Sequence, residues 1–356
     1  MEEIILAIQI YEKYKNICNN TGGNVLGVYI IAEAGVNHNG DIGLAKKLCL
    51  AAKTAGADAV KFQTWITEKI ITRNVKQAGY QAKNTGNNQS QFDMLKALEL
   101  TYDEFREIKD YCVQIGIQFI STADERDSLD FLVSLGVPFI KVGSGDIGNI
   151  SYLRYIGSKK MPVILSTGMS TLSDVEISIK SLQDGGAGKI SLLHCTTDYP
   201  CPYDNVNLKA IDTLKSAFGM QVGYSDHTIG IEIPVAAVAR GAEIIEKHFT
   251  LDRYMVGPDH LASTEPDDFK RMVCAIRNVE KSLGTGLKKP TSAEKEISKV
   301  VLKRIVAKKV IAKGEIIKAD DICVKRNVNG LPASAWDIIV GTKARKEFDV
   351  DEGIEI

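Results

Sequence analysis

Two short stretches each carry a histidine at the end of an apolar run: "QVGYSDH" over residues 221–227 and "EIIEKHFT" over 243–250, which bring in His227 and His248. Two imidazoles with oxygen ligands suit a divalent ion such as Mn²⁺, with positions left open for substrate. A closed structural zinc site would need four ligands, and no cysteine stands at ligand spacing from either histidine. The alternative is that each imidazole hydrogen-bonds a neighbouring carboxylate, Asp226 for example. Other apolar runs end in a different set of groups: Glu33, Lys61 with Gln63, Ser121 with Thr122, Lys141 with Ser144, Ser166 with Thr167, His194 with Thr196, and Ser225 beside His227. Lys61, Lys141 and the hydroxyls of Thr122, Ser144, Ser166 and Ser225 form a cationic, hydroxyl-rich group suited to a phosphate or carboxylate, which needs fixed donors and positive charge. The glycines of "GSG" (143–145) and "STG" (166–168) let backbone amides approach an anion closely. Both lysines sit inside apolar runs, where an unpaired ammonium is costly. Each of these residues alone reads as a satisfied polar group; all of them at run ends read as a site.

Something must bring these ends together, and the chain supplies a repeating unit. From Tyr29 onward an apolar run, a polar end, an amphipathic stretch and a glycine recur, with runs at 29–35, 58–64, 117–122, 138–145, 162–168, 190–196, 221–227 and 243–250. Gly56, Gly116, Gly136, Gly219 and Gly241 stand shortly before such runs, where a helix C-cap glycine belongs. Alternating strands and helices imply a parallel sheet. Eight units over about 250 residues match a (β/α)₈ TIM barrel, whose chemistry sits at the C-terminal strand ends. An open doubly wound sheet is the alternative, but no G-x-G-x-x-G follows the first strand. In a closed barrel the seventh and eighth strands are neighbours, so His227 and His248 meet at one rim. The expected organisation is an N-terminal extension at 1–28, a barrel at 29–286, a linker at 287–298 around "LKKPTSAEKEIS", and a small β-rich domain at 299–356 with Gly turns and no βα alternation.

Several ordered motifs, "IIAEAGVNHNGD", "AVKFQT", "KVGSGD", "ILSTGMS", "LLHCTTDYP", "GYSDHTIG", "IEKHFTLD" and "GPDHLAS", together with "YQAKNTGNNQSQFDMLKALEL", resemble the sialic acid synthase family. The resemblance covers about residues 29–356, including a C-terminal part similar to the antifreeze-like (SAF) domain; it does not reach the first 28 residues. It implies an enzyme that condenses phosphoenolpyruvate with an N-acetylated mannosamine-type sugar. It further implies that His227 and His248 bind a divalent metal (Mn²⁺, with Mg²⁺ or Co²⁺ as alternatives) that holds the aldehyde oxygen of the open-chain sugar. Lys61, Thr122, Lys141, Ser144, Ser166, Ser225 and Thr197 would hold phosphoenolpyruvate, Thr197 standing where some relatives carry asparagine. Gln63, Tyr199 and Asp259 would contact the sugar, while Glu33 and Asp146 would serve proton transfer or water positioning. Asp146 stands where relatives commonly have glutamate. Arg326 would reach into the partner subunit's barrel, implying a domain-swapped homodimer. Its loop departs from the family, reading "KRNVNG" where K-R-P-G-x-G is common.

Composition bounds these readings. The 356 residues exceed the size at which one core usually stops growing, and 44% hydrophobic with 25% charged residues is ordinary for a globular chain. A formal net charge of −1 gives no general attraction to nucleic acid or anionic membrane. Seven scattered cysteines without a C-x-x-C pair fit reduced thiols in a cytoplasmic protein better than a disulfide framework. "MEEIILAIQIYEKYKN" carries acids where a secretory signal carries bases and fits a short amphipathic helix, with "NNTGGN" as a flexible joint. Nothing approaches the length of apolar sequence that a membrane span needs. The resemblance leaves two acceptors open: N-acetylmannosamine, which would give N-acetylneuraminate, or a 2,4-diacetamido-6-deoxy sugar, which would give diacetyllegionaminate. Two other readings compete: a related phosphoenolpyruvate aldol synthase making a keto-sugar phosphate, and a catalytically dead carbohydrate-binding barrel. The first needs a further cationic site for the acceptor's phosphate, and the second is disfavoured by Glu33, Lys61, His227 and His248.

Overall fold

Side chains of a strand alternate between its two faces, and in a closed barrel one face must fill the interior while the other packs against helices. A computed structural model, which describes residues 27–85 and 89–355, realises this arrangement. The expected N-terminal helix and joint lie outside the described residues. The eight strands are β1 (Tyr29–Gly35), β2 (Ala59–Thr64), β3 (Gln118–Ala123), β4 (Ile140–Val142), β5 (Val163–Ser166), β6 (Ile190–Cys195), β7 (Gln221–Asp226) and β8 (Ile244–His248). They close in sequential order, every pair parallel, with β8 returning to β1. The strands are buried on both faces nearly throughout, as a parallel sheet covered by helices requires.

The helices between the strands start and stop where local chemistry dictates. Thr101 and Glu104 form a capping box at the head of the helix Tyr102–Ile115, and Gly116 ends it in the left-handed conformation, its N–H donating to the carbonyls of Cys112 and Val113. The four other glycines read as C-caps also have positive φ. An outer core, with Ile30, Val60, Phe62 and Phe119 on the strand side and Phe105, Ile108 and Phe269 on the helix side, fills the layer between sheet and helices. Within the barrel a smaller cluster, including Tyr29, Ile31, Ile120, Phe139, Ile164 and Leu193, closes the N-terminal end. Tyr29 and Phe139 meet there edge to face with ring centroids 6.0 Å apart.

Gly223 of β7 belongs to that interior. A Cβ at this position would lie 2.4 Å from the Ile244 carbonyl oxygen and 2.6 Å from Leu193 Cδ2, so only hydrogen fits. Gly223→Ala is expected to destabilise the fold by about 1–3 kcal/mol, the usual cost of overpacking a filled core. A thermal melt checks this, and an unchanged midpoint would contradict the packing.

Residues Thr285–Ile356 form a second compact unit. In it the helix Ser292–Val301, capped by Thr291 and Glu294, occupies most of the stretch read as a linker. Strands β9 (Lys303–Ala307) and β10 (Ile322–Arg326) pair antiparallel over a core that includes Ile305, Ile311, Ile317, Ile322, Phe348 and Ile354. No helix among the described residues is long and apolar enough to cross a membrane.

Candidate active site

Above the apolar interior cluster, the same inward face turns polar toward the C-terminal strand ends. Period-two alternation carries Ile31 to Glu33, Ala59 to Lys61 and Gln63, Ile120 to Thr122, Phe139 to Lys141, Ile164 to Ser166, and Ile244 to Glu246 and His248. Barrel closure sets Glu33 opposite Lys61 on one side and opposite His248 on the other, and Thr122 opposite Lys141.

The resulting cluster is densely charged. Lys61 Nζ lies 2.8 Å from Glu33 Oε2 and 3.8 Å from Glu246 Oε2, and it donates to Thr122 Oγ1 at 3.3 Å. Lys141 Nζ donates to Ser166 Oγ at 2.7 Å and lies 3.6 Å from Glu246 Oε1. Ser225 Oγ donates to Glu246 Oε1 at 3.0 Å, and Gln63 Nε2 donates to Glu33 Oε1 at 3.0 Å. All four charged groups are buried, so charge and desolvation compete. Burial alone would raise Glu246, but Lys141 and Lys61 hold its carboxyl at about 2. Burial pulls Lys61 down, yet Glu246 and Glu33 outweigh it and leave the ammonium above its ordinary value. For Lys141 burial prevails and the pKa falls; for Glu33 burial also prevails, over the pull of Lys61, and the carboxyl is raised. One carboxylate is thus firmly ionised and the other is poised closer to accepting a proton.

Beside this cluster, the β5–β6 side supplies small donors. Ser144 sits in the turn after β4, where its Oγ accepts from the Gly168 N–H at 2.9 Å and lies 3.2 Å from Cys195 Sγ. Gly168 leaves room for two hydroxyls, since a Cβ there would lie 2.3 Å from Thr197 Oγ1 and 2.8 Å from Ser144 Oγ and would force both to turn away.

The two histidines face each other at the rim, with ring centroids 5.4 Å apart. His227 Nδ1 meets the Thr196 carbonyl oxygen at 2.6 Å, which places the proton on Nδ1 and leaves the Nε2 lone pair available. His248 Nδ1 is buried without a hydrogen-bond partner in the protein and stands 3.9 Å from Asp259 Oδ2. Burial lowers both imidazole pKa values, and His227 lowers that of His248 further, so both rings are neutral near pH 7. The Tyr199 ring packs 4.2 Å from His227 and 5.5 Å, edge on, from His248. Asp259, in the loop after β8, is pushed up to about 7 by burial and by Glu33. The alternative role considered for the histidines, pairing with Asp226, is not what the side chains do: Asp226 is bonded to Tyr224, Thr228 and Lys247.

Among the described residues no group of three or more His, Cys, Asp or Glu side chains is arranged to hold a metal ion. The donor set here is two neutral imidazoles, one with a buried unpartnered nitrogen, and an orphaned buried polar atom is costly. That set fits a divalent ion completing its shell with substrate and water oxygens.

Most of the residues singled out in the sequence therefore converge. Asp146 ends the turn after β4, accepts from Asn149 Nδ2 at 3.0 Å, and makes no direct contact with the lysines. Arg326 is exposed at the end of β10 in the other unit. Three polar strand-end residues turn outward: His194 Nε2 bonds the Val206 carbonyl at 2.7 Å, Ser121 Oγ bonds Thr64 Oγ1 at 2.8 Å, and Thr167 Oγ1 bonds the Leu193 carbonyl at 2.9 Å. Two residues went unread. Glu246 stands two positions before His248, a spacing that gives both the same face of β8. Asp124 directly follows β3, and burial together with Asp146 pushes its carboxyl to about 7.

Comparison with known proteins bears on this geometry. The NeuB family model matches residues 48–288, and the SAF domain model matches residues 304–354. The chain is 45% identical over 325 residues to an N,N'-diacetyllegionaminic acid synthase of Legionella pneumophila, covering 90% of this chain and 91% of that one. It is 46% identical over 325 residues to an N,N'-diacetyllegionaminic acid synthase of Campylobacter jejuni, covering 91% and 97%. Among solved structures, the N-acetylneuraminic acid (sialic acid) synthetase of Leptospira borgpetersenii in complex with citrate superposes with a TM-score of 0.68 at 36% identity, covering 78% of this chain and 94% of that one.

Proposed function

The chain belongs to the NeuB family, and from that premise we propose that it condenses phosphoenolpyruvate with a 2,4-diacetamido-6-deoxy sugar and water, giving N,N'-diacetyllegionaminate and phosphate. It is a carbon–carbon bond-forming synthase, and the two legionaminic acid synthases at 45% and 46% identity support the diacetamido acceptor. The observation that carries the reading within the site is the juxtaposition of the buried Lys61–Glu246–Lys141 group with the two facing histidines.

Lys61 and Lys141, with the hydroxyls of Thr122, Ser144, Ser166, Thr197 and Ser225, hold the phosphate and carboxylate of phosphoenolpyruvate by charge-assisted hydrogen bonds. Gln63, Tyr199 and Asp259 orient the acceptor. His227 and His248 would hold a divalent ion, Mn²⁺ in our reading, which when bound supplies Lewis-acid polarisation of the acceptor's aldehyde. C3 of phosphoenolpyruvate attacks that aldehyde carbon, water adds at C2, and phosphate leaves by C–O cleavage. Glu33, whose carboxyl burial raises above its ordinary value against the pull of Lys61, positions the water or takes its proton, with Asp146 as the second acid. The fixed cations stabilise the charge that develops on the departing phosphate. Arg326 of the partner subunit completes the acceptor site in a domain-swapped homodimer. The cytoplasm is the compartment of this reading, in keeping with scattered cysteines that include no C-x-x-C pair.

The test is phosphate release from phosphoenolpyruvate in the presence of a panel of aminosugars. Release that requires an acetamido sugar and a divalent ion, with the diacetamido sugar preferred, is expected. Preference for N-acetylmannosamine would overturn the acceptor, and activity only with a phosphorylated sugar would favour the keto-sugar phosphate synthase. No release with any acceptor would leave a dead barrel. In the same assay Lys61→Ala is expected to raise the KM for phosphoenolpyruvate about ten- to a hundredfold, the loss of one charge-assisted hydrogen bond. A thermal melt accompanies it, because Lys61 also neutralises Glu33 and Glu246.

A further inference from the structure

The last rung of the β7–β8 ladder pairs Asp226 with Lys247. These are the residues immediately before His227 and His248. Because side chains alternate, two histidines turned toward the barrel mouth leave the residues before them turned outward, toward the helices. There Asp226 and Lys247 form an ion pair with both side chains at 0% exposure.

The pair grips the chain on the far side of His227 as well. Asp226 Oδ1 accepts from the Thr228 N–H at 3.0 Å, from Thr228 Oγ1 at 2.9 Å and from the Tyr224 hydroxyl at 3.0 Å. Lys247 Nζ donates to the Thr228 carbonyl at 2.7 Å. Thr228 is thus held at both its N–H and its carbonyl, and His227 is fixed between two anchored residues. Its own carbonyl accepts from the Cys201 N–H at 2.8 Å. None of the hydrogen bonds from Asp226 or Lys247 goes to a side chain that faces the mouth. A buried ion pair costs more desolvation than an apolar pair of the same shape, so its contribution here is sought in the arrangement it fixes rather than in stability.

We infer that Asp226 and Lys247 are positioning residues that set the spacing of the His227 and His248 imidazoles, and through it the affinity of the chain for its divalent ion. The inference rests on the metal reading of the two histidines given above. The backbone ladder between β7 and β8 ends at this rung; past it each tip is anchored to other elements, His227 O by the Cys201 N–H and His248 O by the Thr264 N–H, while Lys247, through Asp226 and the Thr228 carbonyl, links one tip to the other. The rings that follow stand 5.4 Å apart, a separation that a shift of either tip would change.

The experiment titrates Mn²⁺ into the full chain and follows free Mn²⁺ by electron paramagnetic resonance. Phosphoenolpyruvate affinity is measured in parallel by intrinsic fluorescence. Wild type is expected to bind Mn²⁺ and His248→Ala to lose that binding. The double variant Asp226→Asn/Lys247→Met, which keeps shape and removes both charges, is expected to bind Mn²⁺ about ten- to a hundredfold more weakly, the usual effect of losing a group that orients a ligand, with phosphoenolpyruvate affinity unchanged. A folded double variant with wild-type Mn²⁺ affinity overturns the inference. So does an equal loss of both affinities, which marks general loosening. If wild type itself binds no Mn²⁺, the metal reading fails and the inference with it. Should the double variant not fold, Asp226→Asn alone keeps the acceptor for Thr228 and Tyr224 and is judged by the same outcomes.

Discussion

Replacing His227 or His248 by alanine is expected to lower turnover about a thousandfold, with little change in the KM for phosphoenolpyruvate. Lewis-acid polarisation of a carbonyl contributes several kcal/mol to the transition state, and about 4 kcal/mol corresponds to three powers of ten in rate. The two imidazoles are the ring donors at the rim, and both are held neutral by burial, so neither substitution leaves an unpaired charge. Each variant should also fail to recover when Mn²⁺ is restored after chelation, whereas wild type should regain activity. Lys61 and Lys141, which we propose hold phosphoenolpyruvate, lie against Glu33 and Glu246 rather than the histidines, which is why binding of that substrate should survive. Full activity in a metal-free His227→Ala enzyme would refute the assignment.

Arg326→Ala is expected to reduce turnover about ten- to a hundredfold, the worth of one hydrogen bond from a charged donor to a neutral sugar group. The residue ends β10 opposite Lys303 and is exposed. The loop that follows reads "NVNG" over 327–330, and contacts with Asp351 tether both sides of the arginine: Lys325, the residue before it in β10, pairs with the Asp351 carboxylate, and Asn327 Nδ2 in the loop donates to the Asp351 carbonyl. Mixing His248→Ala chains with Arg326→Ala chains tests whether the arginine acts across subunits. In a swapped dimer one site of each heterodimer combines an intact barrel with an intact arginine, so activity should partly return. Verified subunit exchange without recovery would place the arginine within its own chain or outside the site.

The eight apolar runs were legible in the sequence because strand and helix periods are local properties, and every run overlaps a strand of the barrel, seven enclosing theirs and β3 ending one residue beyond its run. The residue types of the site were legible for the same reason. Lys61 and Lys141 stand out as charges inside apolar runs, and His227 and His248 as polar ends on runs that neighbour in a closed barrel. Which polar residue faces inward was not legible, because it depends on the phase of each strand relative to the barrel axis, fixed by packing rather than by composition. His194 and Ser121 read as site residues and turned outward, while Glu246 passed as part of an apolar run and became the carboxylate between two lysines. Only closure of the sheet makes Glu33 of the first strand the ladder partner of His248 of the eighth. Only the tertiary structure, too, turns the sequence neighbours Asp226–His227 and Lys247–His248 into an outward ion pair beneath an inward pair of rings. That outcome requires two strands distant in the chain to meet in one register, which no local pattern specifies.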